Sequence, residues 1–257
     1  MKKKGGFAVS IYYIVAFIFL VPLFASCRDQ GFSLARTNKT LDECMTLLKK
    51  KKHDKAITCF EAYKSRHHGE KGSTEADLLV ADAYFLKKDY IIAAEAYQTF
   101  IEANPYNEKT PYAYYKAGLS YLKETPKAID RNQEHLDLAV QYLGTVVKYY
   151  TGTPYAAAAG ESFNEARLKQ ARRHFYVGRY YYKAREYLAA IPRFQAIVTD
   201  YSKLGLDEKS FYYLVNALER TSQRELAQKY FDVFKTYYPD SKYAKRVKVM
   251  SRNLNVD

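Results

Sequence analysis

Cys27 is the residue whose surroundings point most directly to chemical modification. It follows the lysines at Lys2–Lys4, an apolar run over Phe7–Leu20 and the small residues Ala25 and Ser26. A cationic start, an apolar core and small residues before a cleavage point are typical of a secretory signal peptide. A cysteine at that point supplies a thiol for a diacylglyceryl group and, after cleavage, an amino group for an N-acyl chain. The pattern therefore predicts a lipoprotein.

The predicted processing divides the N-terminal part of the chain. Residues 1–26 are the expected signal peptide, and residues 27–38 a lipidated tether. Acyl chains contribute about 0.8 kcal/mol per buried methylene, so two or three of them would hold the chain durably on a membrane. Arg28 stands where many inner-membrane lipoproteins carry Asp, which favours the periplasmic face of the outer membrane. The alternative is an uncleaved anchor over residues 7–26, close to the roughly 20 residues that span a bilayer.

The other reactive side chains form no recognisable catalytic or metal-binding set in the sequence. The five histidines lack a metal-ligand spacing, and there is no nucleophile motif, paired carboxylate or phosphate-binding loop. We therefore expect no enzyme, no metal and no cofactor beyond the acyl chains on Cys27. Cys44 and Cys59 fall on neighbouring predicted helices. Free buried cysteines are the favoured interpretation. A disulfide between the two is the alternative, because export of the chain permits one.

The chain is basic, with a formal net charge of +13. Removing residues 1–26 takes away three lysines and no acid, which leaves +10 for the mature chain. This surplus favours acidic protein partners or anionic lipid. No nucleic-acid-binding motif accompanies it, and export would separate the chain from nucleic acid, so we do not expect nucleic acid as a partner.

Beyond residue 38 the sequence repeats two signatures. A small residue comes three positions before a large one, and further on an alanine comes four positions before a large apolar residue. This is the tetratricopeptide pattern, which has a period of about 34 residues and lets two helices approach closely at the small positions. The first signature occurs at Cys44 and Leu47, Ala81 and Tyr84, Gly118 and Tyr121, Gly178 and Tyr181, and Val215 and Leu218; the second occurs at Ala56 and Phe60, Ala93 and Tyr97, Ala139 and Leu143, Ala190 and Phe194, and Ala227 and Phe231.

We therefore predict an all-α fold, a tetratricopeptide-repeat solenoid of about five helix-turn-helix repeats over residues 39–257. The extra residues around Pro126 to Gln133 should lengthen a helix or add a loop. Pro192 should lie in the first turn of a helix that begins near Leu188, because a missing N–H costs no hydrogen bond there. The repeats are expected at about residues 39–70, 74–106, 111–155, 170–203 and 207–240, followed by a C-terminal basic helix.

From about His53 to Lys245 the chain resembles the BamD family. The segments that carry the resemblance are Tyr112–Leu119, Asp130–Gln133 and Arg179–Phe194. The resemblance implies a lipid-anchored, non-enzymatic scaffold of the outer-membrane β-barrel assembly machinery, which takes part in the assembly and insertion of barrel proteins. It also implies contact with the periplasmic domain of the barrel-type core subunit and with other lipoproteins of the machinery.

The resemblance gives Arg193 a role. It falls where the family has an arginine, in the second helix of the fourth repeat, that is implicated in contact with an acidic residue of the core subunit. The planar guanidinium suits this task because it can pair bidentately with a carboxylate. Pro192 replaces the asparagine that usually precedes this arginine. The alternative is an ordinary exposed helix arginine.

First-helix residues predict a groove for unfolded barrel proteins. These substrates end in a strand of alternating apolar residues with a free carboxylate, so an apolar groove with a nearby cation would suit them. In the competing interpretation the aromatic members simply pack on neighbouring helices. The expected groove residues are Leu78, Phe85, Tyr112, Tyr115, Leu119 and Arg179.

Two other functions are alternatives to this scaffold. A different exported tetratricopeptide adaptor, for example one that serves peptidoglycan or cell-division machinery, would share the anchor and the repeats. A cell-wall hydrolase that carries repeats has no supporting catalytic motif in the sequence.

Overall fold

The computed structural model describes residues 39–243 and Arg246. Across this part of the chain it contains ten α-helices and no strand, which confirms the all-α class. Cys27, the predicted signal peptide and tether, and most of the predicted C-terminal basic helix lie outside the described residues. The helices are α1 (Leu41–Lys49), α2 (His53–Arg66), α3 (Lys71–Lys87), α4 (Tyr90–Ala103), α5 (Thr110–Glu124), α6 (Glu134–Tyr149), α7 (Ala156–Lys183), α8 (Tyr187–Asp200), α9 (Asp207–Arg220) and α10 (Arg224–Tyr237).

Consecutive helices form five helix-turn-helix pairs. Each helix packs mainly against the helix before it and the helix after it. Such nearest-neighbour stacking is the organisation of a solenoid, and it confirms the predicted tetratricopeptide-like fold. Among the residues described, no helix has both the length and the apolar character needed to cross a membrane.

Small residues set the distance between neighbouring helices. A Cβ placed on Gly118 of α5 would lie 2.6 Å from Leu143 Cγ and 3.0 Å from the backbone nitrogen of Leu143 in α6. Only glycine therefore allows this crossing without movement of the backbone. The alanines of the second signature serve the other pairs in the same way and are fully buried: Ala56, Ala93, Ala139, Ala190 and Ala227.

The third pair contains the predicted insertion as a loop between α5 and α6. Its last residue, Gln133, is buried, and its Nε2 donates hydrogen bonds to the carbonyl oxygens of Pro126 (3.3 Å) and Ala128 (3.2 Å). The insertion thus folds onto one amide side chain. The next helix, α7, begins at Ala156, well before residue 170, where the sequence places the start of the fourth repeat.

Pro192 lies deeper in its helix than the sequence predicts. Because α8 begins at Tyr187, Pro192 is its sixth residue and cannot donate to the carbonyl oxygen of Leu188. The expectation of a first-turn position is therefore wrong. Both Leu188 and Pro192 are exposed, so water can satisfy that carbonyl group.

The first pair is cross-linked by a disulfide between Cys44 of α1 and Cys59 of α2, whose Cα atoms are 5.5 Å apart. The preference for free cysteines is wrong, because the two helices turn both side chains into one small core. The nine-residue α1 is also fixed by a capping box, in which the Thr40 side chain accepts from the Glu43 N–H and the Glu43 carboxylate accepts from the Thr40 N–H.

We expect reduction of the disulfide to lower the free energy of unfolding by about 3 kcal/mol, because the cross-link closes a short loop in the unfolded chain. Urea denaturation with and without dithiothreitol measures the change. The doubly substituted C44A/C59A chain is the control and should not respond to dithiothreitol. Equal stability of the wild type in both conditions would contradict a stabilising cross-link.

Gly118→Ala should destabilise the chain by about 1–3 kcal/mol through overpacking against Leu143. Gly160→Ala in α7 is the matched control, since a Cβ there meets nothing within 4 Å. The free energy of unfolding of this control should rise by up to about 1 kcal/mol, because alanine has a higher helix propensity than glycine. Thermal or urea unfolding of both variants measures the difference, and a stabilised Gly118→Ala chain would rule out the close crossing.

Candidate binding clefts

One cleft lies between α3 and the start of α5 and has a volume of about 790 Å³. Leu78 and Tyr112, both predicted groove residues, line it together with Leu79 and Phe100. Charged side chains complete the lining: Lys71, Glu75, Asp82, Glu108 and Lys109. Apolar and charged groups of both signs thus meet in one open groove.

Asp82 organises this groove. Its Oδ1 accepts hydrogen bonds from the hydroxyl groups of Tyr97 (2.5 Å) and Tyr112 (2.6 Å). Burial, with the nearby Asp82 charge, raises the pKa of both tyrosines, so both stay protonated as donors. The carboxylate therefore fixes the orientation of two rings that belong to different helix pairs.

Lys116 supplies a cation beside this network, and the sequence analysis missed it. Its Nζ lies 3.2 Å from the centroid of the Phe85 ring. Burial lowers the pKa of Lys116 to about 8; Asp82 opposes this shift and Lys123 adds to it. At neutral pH the ammonium is still mostly charged. The spacing of Lys116 four residues after Tyr112, on the same helix face, is the signal that could have identified it.

The other predicted groove residues have partners within the molecule. Phe85 meets the Tyr90 ring edge-on at 5.5 Å between centroids. Tyr115 stacks with Tyr155 at 6.3 Å, and Leu119 is half-buried. None of these three side chains is among the lining residues of the cleft, and the two aromatic ones pack against other rings.

Arg179 lines a different cleft from the one that Leu78 and Tyr112 line. Its guanidinium lies 5.9 Å from the centroid of the Phe175 ring. That cleft, of about 470 Å³, shares no lining residue with the first one, because it is built on α7. Its lining includes Arg172, Arg179 and Lys183 but no carboxylate.

Arg193 lies in a third cleft, of about 280 Å³, with Arg173 and His174. It is exposed on α8, two positions after the buried Ile191 and directly before the buried Phe194. The predicted site residues Tyr112, Arg179 and Arg193 thus lie in three different clefts. No group of His, Cys, Asp or Glu in the described part of the chain is arranged to hold a metal ion.

A family model and the related proteins agree on one family for this chain. The model of the family YfiO, described as outer membrane lipoprotein, matches residues 35–230 of the 257. The outer membrane protein assembly factor BamD of Rickettsia prowazekii is 28% identical over 218 residues, 85% of this chain and 86% of that protein. The proteins of the same name from Caulobacter vibrioides and Neisseria meningitidis serogroup A are each 24% identical; they match 74% and 80% of this chain and 62% and 80% of their own lengths.

Asp82→Ala should destabilise the chain by about 1–3 kcal/mol, because the buried hydroxyl of Tyr97 and that of Tyr112 lose their acceptor. Asp77→Ala, on the same helix, is the matched control. Asp77 pairs with Lys64 at 2.7 Å, but both side chains are part-exposed. Loss of this ion pair should therefore lower the free energy of unfolding by at most about 1 kcal/mol. Urea unfolding measures the stability of both variants. Equal losses of stability would contradict the role given to the hydrogen bonds between Asp82 and the two tyrosines.

Proposed function

We infer, because this chain belongs to the BamD family of outer membrane lipoproteins, that it is a non-enzymatic scaffold in the assembly of outer membrane proteins. The observation that carries the proposal is the family match over residues 35–230. Open clefts along a repeat solenoid suit the binding of extended chains and partner subunits, and we propose no catalytic step.

We propose that the mature chain is held by acyl groups on Cys27 at the periplasmic face of the outer membrane. The Cys44–Cys59 disulfide supports export, because structural disulfides persist in oxidising compartments and are rare in the cytosol. The lipid would hold the N-terminal end of the chain at the membrane. The basic solenoid would then meet unfolded proteins in the periplasm.

The cleft at Leu78 and Tyr112 is the proposed site for the C-terminal segment of an unfolded barrel protein. Its apolar lining can receive alternate side chains of an extended strand, which repeat on one face at roughly 7 Å. The ammonium of Lys116 supplies a cation near the same tyrosine for the free carboxylate. Its ring contacts with Phe85 and Tyr112 hold the ammonium in place before binding.

Arg193 is the proposed contact for the barrel-type core subunit. Its exposed side chain has no ion pair within the described residues, so the guanidinium is available for a carboxylate of the core subunit's periplasmic domain. Other lipoproteins of the machinery are proposed as further partners, with no cleft assigned to them.

Purification of the tagged full-length chain from detergent-solubilised membranes tests the scaffold. We expect recovery of the barrel-type assembly protein, with a loss of about tenfold in Arg193→Ala because a charge-assisted hydrogen bond is removed. Arg131→Ala, an exposed arginine in the loop before α6, is the control and should behave as the wild type. Recovery of cell-wall or cell-division proteins alone would contradict the proposal and favour the alternative of a different exported tetratricopeptide adaptor.

A further inference from the structure

The cleft around Arg193 contains a second arginine and a histidine that the proposed contact does not use. It forms where α6, α7 and α8 meet. Asp137 comes from α6, Gln170, Arg173 and His174 come from α7, and Arg193 comes from α8.

The close approach of α8 to α7 fixes the position of Arg193. A Cβ on Gly178 would lie 3.2 Å from the Cβ of Arg193 and 3.0 Å from the ring carbons of Phe194. Gly178 is one turn beyond His174 on α7. Arg193 is therefore held against the face of α7 that carries the histidine.

The two arginines are not neutralised within the molecule. Arg173 and Arg193 are exposed, and neither has an ion pair or a side-chain hydrogen bond across residues 39–243. The carboxylate of Asp137 also lines the cleft, but its Oδ1 accepts a hydrogen bond from Gln170 Nε2 at 2.6 Å. The ionised lining groups thus leave a net positive cleft.

His174 stands between these charges. Its Nδ1 is buried and has no hydrogen-bond partner in the described structure, and its ring lies 5.5 Å from that of Tyr201. Burial lowers the pKa of His174, and Arg193 and Arg173 lower it further, while Asp200 and Asp137 act in the opposite direction. The imidazole is therefore neutral in the free chain at neutral pH.

We propose that Arg173, Arg193 and His174 together bind a carboxylate group of the partner surface, and that His174 takes up a proton from solvent as the carboxylate enters. The inference rests on the proposed function, in which Arg193 faces an acidic protein surface. It adds Arg173 and His174 to that contact and makes the contact dependent on pH.

The physical reason is the change in charge on binding. Burial is the main cause of the lowered pKa of His174, and the two arginines add to it. A carboxylate between the arginines offsets their contribution, and an opposite charge at about 4–6 Å favours the imidazolium. The complex then binds more protons than the separate proteins, so the affinity rises as the pH falls. Each unit by which binding raises the histidine pKa strengthens the complex by up to about tenfold at low pH.

Calorimetric titration of the mature chain with the purified periplasmic region of the barrel-type assembly protein tests the site. Arg173→Ala should weaken binding about tenfold. Arg172→Ala is the matched control, since this neighbouring arginine lines a different cleft; it should change the affinity by less than about twofold. The wild type should bind about threefold or more tightly at pH 5.5 than at pH 7.5, and His174→Gln should remove this difference.

The possible results distinguish failure of the inference from failure of the proposed function. If Arg193→Ala weakens binding but Arg173→Ala equals Arg172→Ala, or if His174→Gln keeps the full pH dependence, the inference is overturned and the proposed contact stands. If the wild type does not bind, the proposed function fails. In that case NMR titration of His174 in the free chain still decides the electrostatics: Arg173→Ala should raise its pKa and Arg172→Ala should not, and equal values would overturn the inference.

Discussion

Close approach of two helices at a small residue is the constraint on which this structure depends. At Gly118 there is no room for even one carbon atom against Leu143, and at Gly178 a Cβ would crowd Phe194 and Arg193. These crossings bring aromatic residues of successive pairs within reach of each other, so the core forms as a series of clusters along the solenoid. Because each pair is held only by its neighbours, clefts open between them.

Polar groups also join neighbouring repeats. Asp82 of the second pair accepts a hydrogen bond from the hydroxyl of Tyr112 of the third, so one carboxylate ties two repeats together and orients the wall of the cleft at Leu78 and Tyr112. In the fourth pair, Gly178 brings Arg193 against the helix that carries His174. Helix spacing, which the small residues of the repeated signature set, therefore shapes the cleft around Arg193.

The sequence predicts the helix pairs well because its signatures act over three or four residues within one helix. It fails where the answer depends on how helices rotate against each other. The facing of Cys44 and Cys59 is such a case. The predicted first-turn position of Pro192 is wrong because α8 begins at Tyr187, which makes Pro192 its sixth residue.

The central claim is that separate clefts of one solenoid receive the substrate and the core subunit. Photo-crosslinking in living cells tests it directly, with a photoreactive residue in place of Glu75, which lines the cleft at Leu78 and Tyr112, or in place of Val177, which lines the cleft around Arg193. The account predicts that the first position captures unfolded barrel proteins and the second captures the barrel-type assembly protein. Capture of the same partner from both positions would contradict it.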